Sequence, residues 1–415
     1  MLLISLLKDI VGLLKSSIPQ QLQEINSMFK SKTVLLQMQS LISGYDFKNA
    51  VSEYNGDKGV KVFSTKNLLS VMLYMHMASK QSLRDVIDSL ESKRNLWYHL
   101  GLQSLSRNNL SYALQNRPHQ IFAKTFYTLL GRFHNERGRV HDKRFKFKMP
   151  LRTIDSTTIS LCLSLFDWAH FRKKKGGIKL HVLLNNRDQL PEFVNYSNAE
   201  RHDITAADSF PIASNSMYVF DKGYSCFDFL AKINTNRAYF VTRTKTNTQY
   251  RILERQKKSH PDIRADWIVQ FSSYKSKDYP EKLRVVRYHD QETKKIYEFM
   301  TNNFTLSAKS IADIYKSRWD IELFFKWIKQ NLKIKTFIGT SENAVRIQIW
   351  TALITFLLTE YIRFISKTSF PILKTFRVLS ENLLFNMELS ELLLKKPPPL
   401  IDTGRGDDIQ LVLGF

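Results

Sequence analysis

The stretch from Tyr315 to Lys329, YKSRWDIELFFKWIK, narrows what this 415-residue chain can fold into more than any other. At a helical period of about 100° per residue, Tyr315, Arg318, Glu322 and Lys329 fall at roughly 0, 300, 340 and 320°, which is one narrow stripe. Ile321, Phe324, Phe325, Ile328 and Leu332 fall at roughly 180 to 280° on the same wheel and form its core-facing side. The polar stripe therefore borders the apolar one. A solvated helix face would oppose it, and its ion pairs would contribute little. A carboxylate, a guanidinium, an ammonium and a phenol at the edge of a buried surface are instead suited to holding a metal ion beside a phosphate.

The spacing of these residues, Tyr then two, Arg then three, Glu then six, Lys, matches at all four positions the tyrosine-arginine-glutamate-lysine signature. The chain thus resembles bacterial cut-and-paste DDE transposases of the insertion sequence four family, in which that Glu is the third member of an acidic triad. The resemblance implies two aspartates upstream, each in a defined setting.

Charge agrees with a polyanionic partner. Lys and Arg number 62 against 38 Asp and Glu, a formal net charge of +24, which favours phosphate contacts through counterion release. Anionic membrane is the competing partner. The most apolar run, Ile349 to Leu358, is too short to span a bilayer. The N-terminal MLLISLLKDIVGLLKS interrupts its apolar residues with Lys8 and Asp9, and reads as an amphipathic helix and not a signal peptide. The two cysteines, Cys162 and Cys226, lack metal-site spacing, and a reduced cytosol is expected.

Residues 1–138 read as helical, with periodic apolar segments at Leu2–Leu14, Val34–Ile42, Leu68–Met77, Leu83–Leu90 and Ile121–Leu130. Within them a helix from about Ser82, a break near Gly101 and a second helix capped by Ser106 have the layout of a helix-turn-helix. The second helix carries Arg107, Asn108, Asn109, Gln115, Asn116 and Arg117, residue types that read base edges. An ordinary solvated helix satisfies the same pattern. Residues 139–150, RVHDKRFKFK then Met149 and Pro150, read as a basic linker able to follow a DNA backbone.

Asp155 sits within a strand-like LRTIDSTTISL, where a carboxylate is unfavourable and needs a partner such as a cation. Strands at Ile178–Leu184 and Phe193–Asn195 follow, then a helix from Asp203 to about Ala213. Met217–Phe220 reads as a buried strand with Asp221 at its end, before a Lys-Gly turn. A helix at Cys226–Ile233 and a strand at Tyr239–Thr242 complete the pattern. Residues 242–302 change texture to alternating antiparallel strands, at Trp267–Phe271, Leu283–Tyr288 and Ile296–Met300.

This order resembles a ribonuclease-H-like fold. The expected architecture is an α/β ribonuclease-H-like catalytic domain (151–241 and 303–370) with a β-rich insertion (242–302). An all-α N-terminal DNA-binding domain precedes it, and a C-terminal segment (371–415) follows with an irregular tail. DKGY after the second strand looks like the family's setting for its second acid. In some relatives an aromatic from the insertion stacks on a flipped base; Trp267 and Tyr288 are the candidates, with core packing the competing role.

The expected chemistry is two-metal phosphodiester hydrolysis and strand transfer, with Asp155, Asp221 and Glu322 as catalytic ligands of two Mg²⁺ ions, and Mn²⁺ as a substitute. Tyr315, Arg318 and Lys329 would grip phosphates, and Arg107, Asn108 and Asn109 would bind DNA. No phosphate-binding glycine loop of the nucleotide hydrolases is present, so no nucleotide cofactor is expected. Expected partners are double-stranded DNA, as terminal inverted repeats and target, and a second copy of the chain on paired ends. A catalytically silent DNA-binding descendant and a metal-dependent nuclease without strand transfer are the alternatives.

Overall fold

A computed structural model describes residues 32–138, 144–145, 147–161, 166, 168, 170–172, 175–198, 203–272, 277–332 and 337–393. The expected N-terminal amphipathic helix, residues 139–143 of the basic linker and the tail beyond 393 lie outside them. The chain forms two compact units, one from Ser40 to Leu358 and one from the described parts of 1–39 and 359–415.

In the smaller unit, helix α1 (Val34–Ser40) has its first amides bound by the C-terminal part of the chain. Val34 N–H donates to Phe385 O at 3.0 Å and Leu35 N–H to Leu383 O at 2.9 Å. These satisfy donors that a helix start leaves open.

The larger unit begins with helices α2 (Gly44–Glu53), α3 (Thr65–Met77), α4 (Leu83–Glu91), α5 (Trp97–Leu100), α6 (Arg107–Asn116) and α7 (Gln120–Arg137). Local chemistry sets their starts. Ser43, Ser64, Ser82 and Ser106 each accept a backbone N–H three residues on, the N-cap bond that these side chains supply best. Gly101, at φ +66°, ends α5 in the left-handed conformation that glycine adopts without strain.

Ten strands then form one sheet: β1 (Leu151–Leu161), β2 (His170–Arg172), β3 (Lys175–Asn185), β4 (Leu190–Asn198), β5 (Met217–Phe220), β6 (Tyr239–Arg243), β7 (Tyr250–Arg255), β8 (Ile263–Phe271), β9 (Leu283–His289) and β10 (Ile296–Thr301). Its order is β2-β3-β1-β5-β6-β10-β9-β8-β7, with β4 also pairing to β3. β1, β5 and β6 run parallel, and the remaining pairs are antiparallel. The alternating strands of 242–302 thus extend the same sheet through β10.

Strand alternation sorts side chains onto two cores. Ile154, Tyr218 and Phe220 pack on one face with Phe229 and Leu230 of helix α9 (Phe227–Thr235). Leu151, Met217 and Val219 pack on the other with Ile311 and Ile314 of helix α10 (Ala308–Lys316). Asp155 and Asp221, one residue beyond Ile154 and Phe220, therefore belong to the α10 face. Helix α8 covers only Asp203–Ala207 and not the expected reach to Ala213. Phe210 turns into the core, and Pro211 disfavours a helical residue before it.

The stretch read as one helix from Tyr315 to Lys329 is two, α10 and α11 (Trp319–Asn331). At the join the Ser317 carbonyl, which a continuous helix would give to Ile321, accepts Asp320 N–H at 3.1 Å and Asn186 Nδ2 at 3.1 Å. Tyr315 is thereby on a different helix from Glu322. Helix α12 (Glu342–Ile365) extends well past the ten-residue apolar run and is long and apolar enough to cross a membrane. Yet 94% of its most apolar window is buried, which marks a core helix.

His76 of α3 joins the helical region to the end of α11 and to α12. It is fully buried, with Nδ1 2.9 Å from Leu332 O and Nε2 3.0 Å from Thr351 Oγ1. Burial lowers its pKa to about 4. An unfolded histidine titrates near ~6.5, so the stability His76 contributes is present above that value and is lost as pH falls towards 4. His76→Gln is expected to lower stability at pH 7 by about 1–3 kcal/mol, with the gap to the parent narrowing as pH falls from 6.5 to 4 in thermal melts. A gap independent of pH would contradict this assignment.

Candidate active site

The parallel pairing of β1 and β5 places Ile154 opposite Phe220, so Asp155 and Asp221 follow on neighbouring strands. Asp155 Oδ1 accepts the N–H of Ser156 at 2.8 Å, and its Oδ2 accepts Arg318 Nη1 at 2.8 Å. Asp221 caps a 3₁₀ turn, Lys222–Tyr224, by accepting Lys222 N–H at 2.7 Å. Glu322 lies in the first turn of α11 and accepts Arg318 Nη2 at 2.5 Å. A single guanidinium thus joins the acid of β1 to the acid of α11, a forked arrangement that lysine cannot reproduce.

Lys329, two turns further along α11, donates from Nζ to the Thr158 carbonyl at 2.9 Å, back onto β1. Tyr315, at the end of α10, lies with its ring centroid 4.7 Å from that of Phe299, and Arg318 sits 5.9 Å from its centroid. The break between helices does not disperse the four signature residues. Arg318, at the join, touches both sides.

The electrostatics follow from burial. Asp155 is pushed up to about 6, first by burial and further by Asp221 and Glu322, against the opposing pull of Arg318. Burial works against the Arg318 cation, but Asp155, Tyr315 and Glu322 outweigh it and raise its pKa. Tyr315 rises to about 12 through burial, with Arg318 opposing and Asp221 adding to the rise. Among the described residues, no three Asp, Glu, His or Cys side chains converge as a ready ion-binding group. As donors, the carboxylates of Asp155, Asp221 and Glu322 are the hard oxygen ligands that a divalent cation takes. Here Arg318 supplies the compensating charge.

Arg107, Asn108 and Asn109 occupy the exposed first turn of α6. Tyr112, Gln115 and Asn116 continue the same solvent side, while Leu110, Ala113 and Leu114 face inward. Arg117 does not belong with them. It is buried, and its Nη2 donates to Phe63 O at 3.0 Å, so its role is to hold the helical region together.

Trp267 is half-buried against the sheet core, with Arg287 at 5.9 Å from its ring. Tyr288 instead lines an open cleft of about 780 Å³ with Tyr297, Phe299, Tyr315, Arg318 and Trp319. Asn186 and Asp320 also belong to this network. Asn186 accepts Thr153 Oγ1 at 2.7 Å and donates to Asp320 Oδ2 at 3.2 Å, while Arg144 donates to the same oxygen at 2.8 Å. Asp320, two residues before Glu322, carries a signal only in its neighbourhood. Asn186, in the β3–β4 turn, carries none.

Asp155 and Glu322 on one arginine, with Asp221 on the neighbouring strand of a mixed sheet, suit a strongly basic chain that acts on phosphodiesters. The model of the family described as transposase DDE domain matches residues 146–358. That of a domain of unknown function, DUF4372, matches residues 30–103. The chain is 31% identical over 298 residues to transposase y4zB of Sinorhizobium fredii, covering 70% of this chain and 80% of that one. It is 27% identical over 338 residues to the transposase named for insertion sequence element IS5377 of Geobacillus stearothermophilus, covering 81% and 86%. The transposase named for element IS4SA of Synechocystis is 23% identical over 334 residues, covering 76% and 87%. The chain belongs to the DDE transposase family. Its activity is that of a DNA-cleaving transposase.

The raised Asp155 pKa has a stability consequence with a definite sign. Below about 4 the carboxyl is protonated in both folded and unfolded chains. As pH rises to 6 only the unfolded chain releases the proton, so stability falls across that window and is level above it. The metal-free Asp155→Asn variant, a neutral isostere, is expected to be more stable than the parent at pH 8 by on the order of 2 kcal/mol. The difference should vanish near pH 4, as read by thermal melts in chelator.

Proposed function

We propose that Asp155, Asp221 and Glu322 are the catalytic acids of a transposase that excises an insertion sequence and joins its ends to target DNA, on a ribonuclease-H-like catalytic domain. The observation that carries this reading is the junction at Arg318, which draws Asp155 and Glu322 to one guanidinium while Asp221 extends from the adjacent strand. The three carboxylates would hold two Mg²⁺ ions, with Mn²⁺ as a substitute. Such ions, when bound, activate a water or 3′-hydroxyl and stabilise the leaving oxygen.

The remaining roles belong to the chain itself. Arg318, whose planar fork suits a phosphate oxygen as well as a carboxylate, would grip a phosphate beside the acids. Lys329 and Tyr315 flank it, Lys329 as a point charge and Tyr315 as a phenol kept protonated by burial. The exposed Arg107, Asn108 and Asn109 bind the terminal inverted repeats, and α4 with α6 act as the helix-turn-helix. The net charge of +24 supports backbone contacts to repeats and target. A homodimer on paired ends follows for a reaction that must hold two ends, in a bacterial cytoplasm at the nucleoid.

The test is Mg²⁺-dependent cleavage of DNA carrying the element's terminal repeats by wild type and Glu322→Gln. Cleavage at the repeat boundary is expected from wild type alone, with the variant at least 10³-fold slower, on the order of the loss of a central electrostatic group, and still binding ends. Arg107→Ala with Asn109→Ala is expected to weaken end binding by about 1–3 kcal/mol per lost base contact and to spare non-specific binding. Boundary-specific binding without cleavage by either protein would point to a silent descendant. Cleavage without joining would point to a nuclease.

A further inference from the structure

A second polar cluster lies behind Asp155, on the opposite face of β1. Ser156, whose N–H holds Asp155, directs its Oγ–H to Asp203 Oδ1 at 2.8 Å. Asp203 also pairs with Lys179 Nζ at 3.3 Å and lies 3.9 Å from His181 Nδ1. His181 faces Ser156 across the β1–β3 ladder and is fully buried, 3.1 Å from Tyr224 Oη and 3.0 Å from Ser197 Oγ. Burial lowers its pKa to about 4. It is therefore neutral at pH 7, and Lys179 is the cation facing Asp203.

The same carboxylate reaches the second strand. A side chain at Gly223 would bring its Cβ to 3.3 Å from Asp203 Oδ2, so the bare glycine lets the Lys222–Tyr224 turn lie against Asp203. That turn carries the Lys222 N–H that holds Asp221. Tyr224, buried at its end, has its phenol pKa raised by burial and then by Asp203. One carboxylate thus braces both backbones from which the two candidate aspartates are aimed. An exposed Asp–Lys pair would contribute little. This one is largely enclosed, with side-chain exposures of 29% for Asp203 and 14% for Lys179, so its geometry is held.

We propose that Asp203 is a positioning residue for the cleavage reaction, acting through Ser156 to aim Asp155 and through the Lys222–Tyr224 turn to aim Asp221. It touches neither the DNA nor the reacting atoms. This rests on the reading of Asp155 and Asp221 as catalytic acids, and partners of this kind, one step behind a ligating group, are worth about 10- to 100-fold when lost.

The test compares the full-length wild type with Asp203→Ala, Asp203→Asn, Ser156→Ala, the Ser156→Ala/Asp203→Ala double variant and Asp155→Asn. Each is measured for end cleavage across a Mg²⁺ series, end binding and melting temperature. Asp203→Ala and Ser156→Ala are expected to cut about 10- to 100-fold more slowly and to need more Mg²⁺ with end binding unchanged; the melting temperature should hold in Ser156→Ala and fall in Asp203→Ala, which strands Lys179. The double variant should be no slower than Asp203→Ala, because both break one chain of contacts. Asp203→Asn keeps an oxygen for Ser156 and should recover most of the rate. Should Asp203→Ala fold poorly, Ser156→Ala and Asp203→Asn carry the test alone. Wild-type cleavage by Ser156→Ala and Asp203→Ala beside an inactive Asp155→Asn would overturn the positioning role alone, as would losses that multiply in the double variant or a loss in Ser156→Ala that tracks a fall in its melting temperature. Wild-type cleavage by Asp155→Asn would overturn the reading of the acids and this inference with it.

Discussion

A carboxylate in the middle of a central strand is the constraint on which the rest of the larger unit depends. Asp155 is largely withdrawn from water where β1 places it, and among the described residues its own sheet gives it the Ser156 N–H. The nearest compensation is Arg318, which must come from another element and approach the α10 face of the sheet. That requirement explains the join between α10 and α11. A continuous helix would leave the Ser317 carbonyl in its own ladder, whereas here Asn186 and the Asp320 N–H take it. The same Asn186 is tied to Thr153 on β1, two residues before Asp155. Strand, turn and helix are therefore locked to one another around the charge that they carry. Removing the Arg318 cation would leave buried acids without a partner, a situation more costly than never having buried them.

Much of this arrangement is legible in the sequence, because it rests on short-range pattern. Val34–Ile42, Leu83–Leu90 and Ile121–Leu130 carry helical periodicity, and Met217–Phe220 and Tyr239–Thr242 carry buried-strand runs. Val34–Ile42 runs two residues past the end of α1, and the others fall within elements of the expected type. Ser106 caps α6 as its position before Arg107 suggests. The misreadings occur where a tertiary contact outweighs the local pattern. Nothing in YKSRWDIELFF shows that a distant asparagine will divert the Ser317 carbonyl and split the helix. Arg117 follows polar residues in the sequence but is drawn inward by the Phe63 carbonyl. The β7 strand, exposed and without clear alternation, was invisible for lack of an apolar face.

The candidate site shows the same division. Its first layer, Asp155, Asp221, Arg318, Glu322 and Lys329, stands out because charged residues within a strand, at a strand end or beside an apolar helix stripe conflict with local preference. The layer behind it, Asn186 in a turn, Asp203 in a short helix, His181 in β3 and Asp320 in α11, consists of ordinary polar residues. Their positions become meaningful only once β1, β3, β5 and the helices above them are assembled. The sheet also carries the alternating strands of 242–302 as its own continuation through β10, which brings Tyr288, Tyr297 and Phe299 to the cleft beside Tyr315 and Arg318.

If the three acids form one centre whose charge Arg318 meets in the absence of metal, divalent ions must compete for that centre even without DNA. The most direct measurement is Mn²⁺ binding to the DNA-free protein, followed by paramagnetic resonance of the free ion, for wild type, Asp155→Asn, Asp221→Asn and Glu322→Gln. The account predicts saturable binding by wild type and a loss of about tenfold or more in affinity, at least about 1.4 kcal/mol, in each variant. Wild-type affinity in any one of the three would remove that acid from the centre and contradict the account.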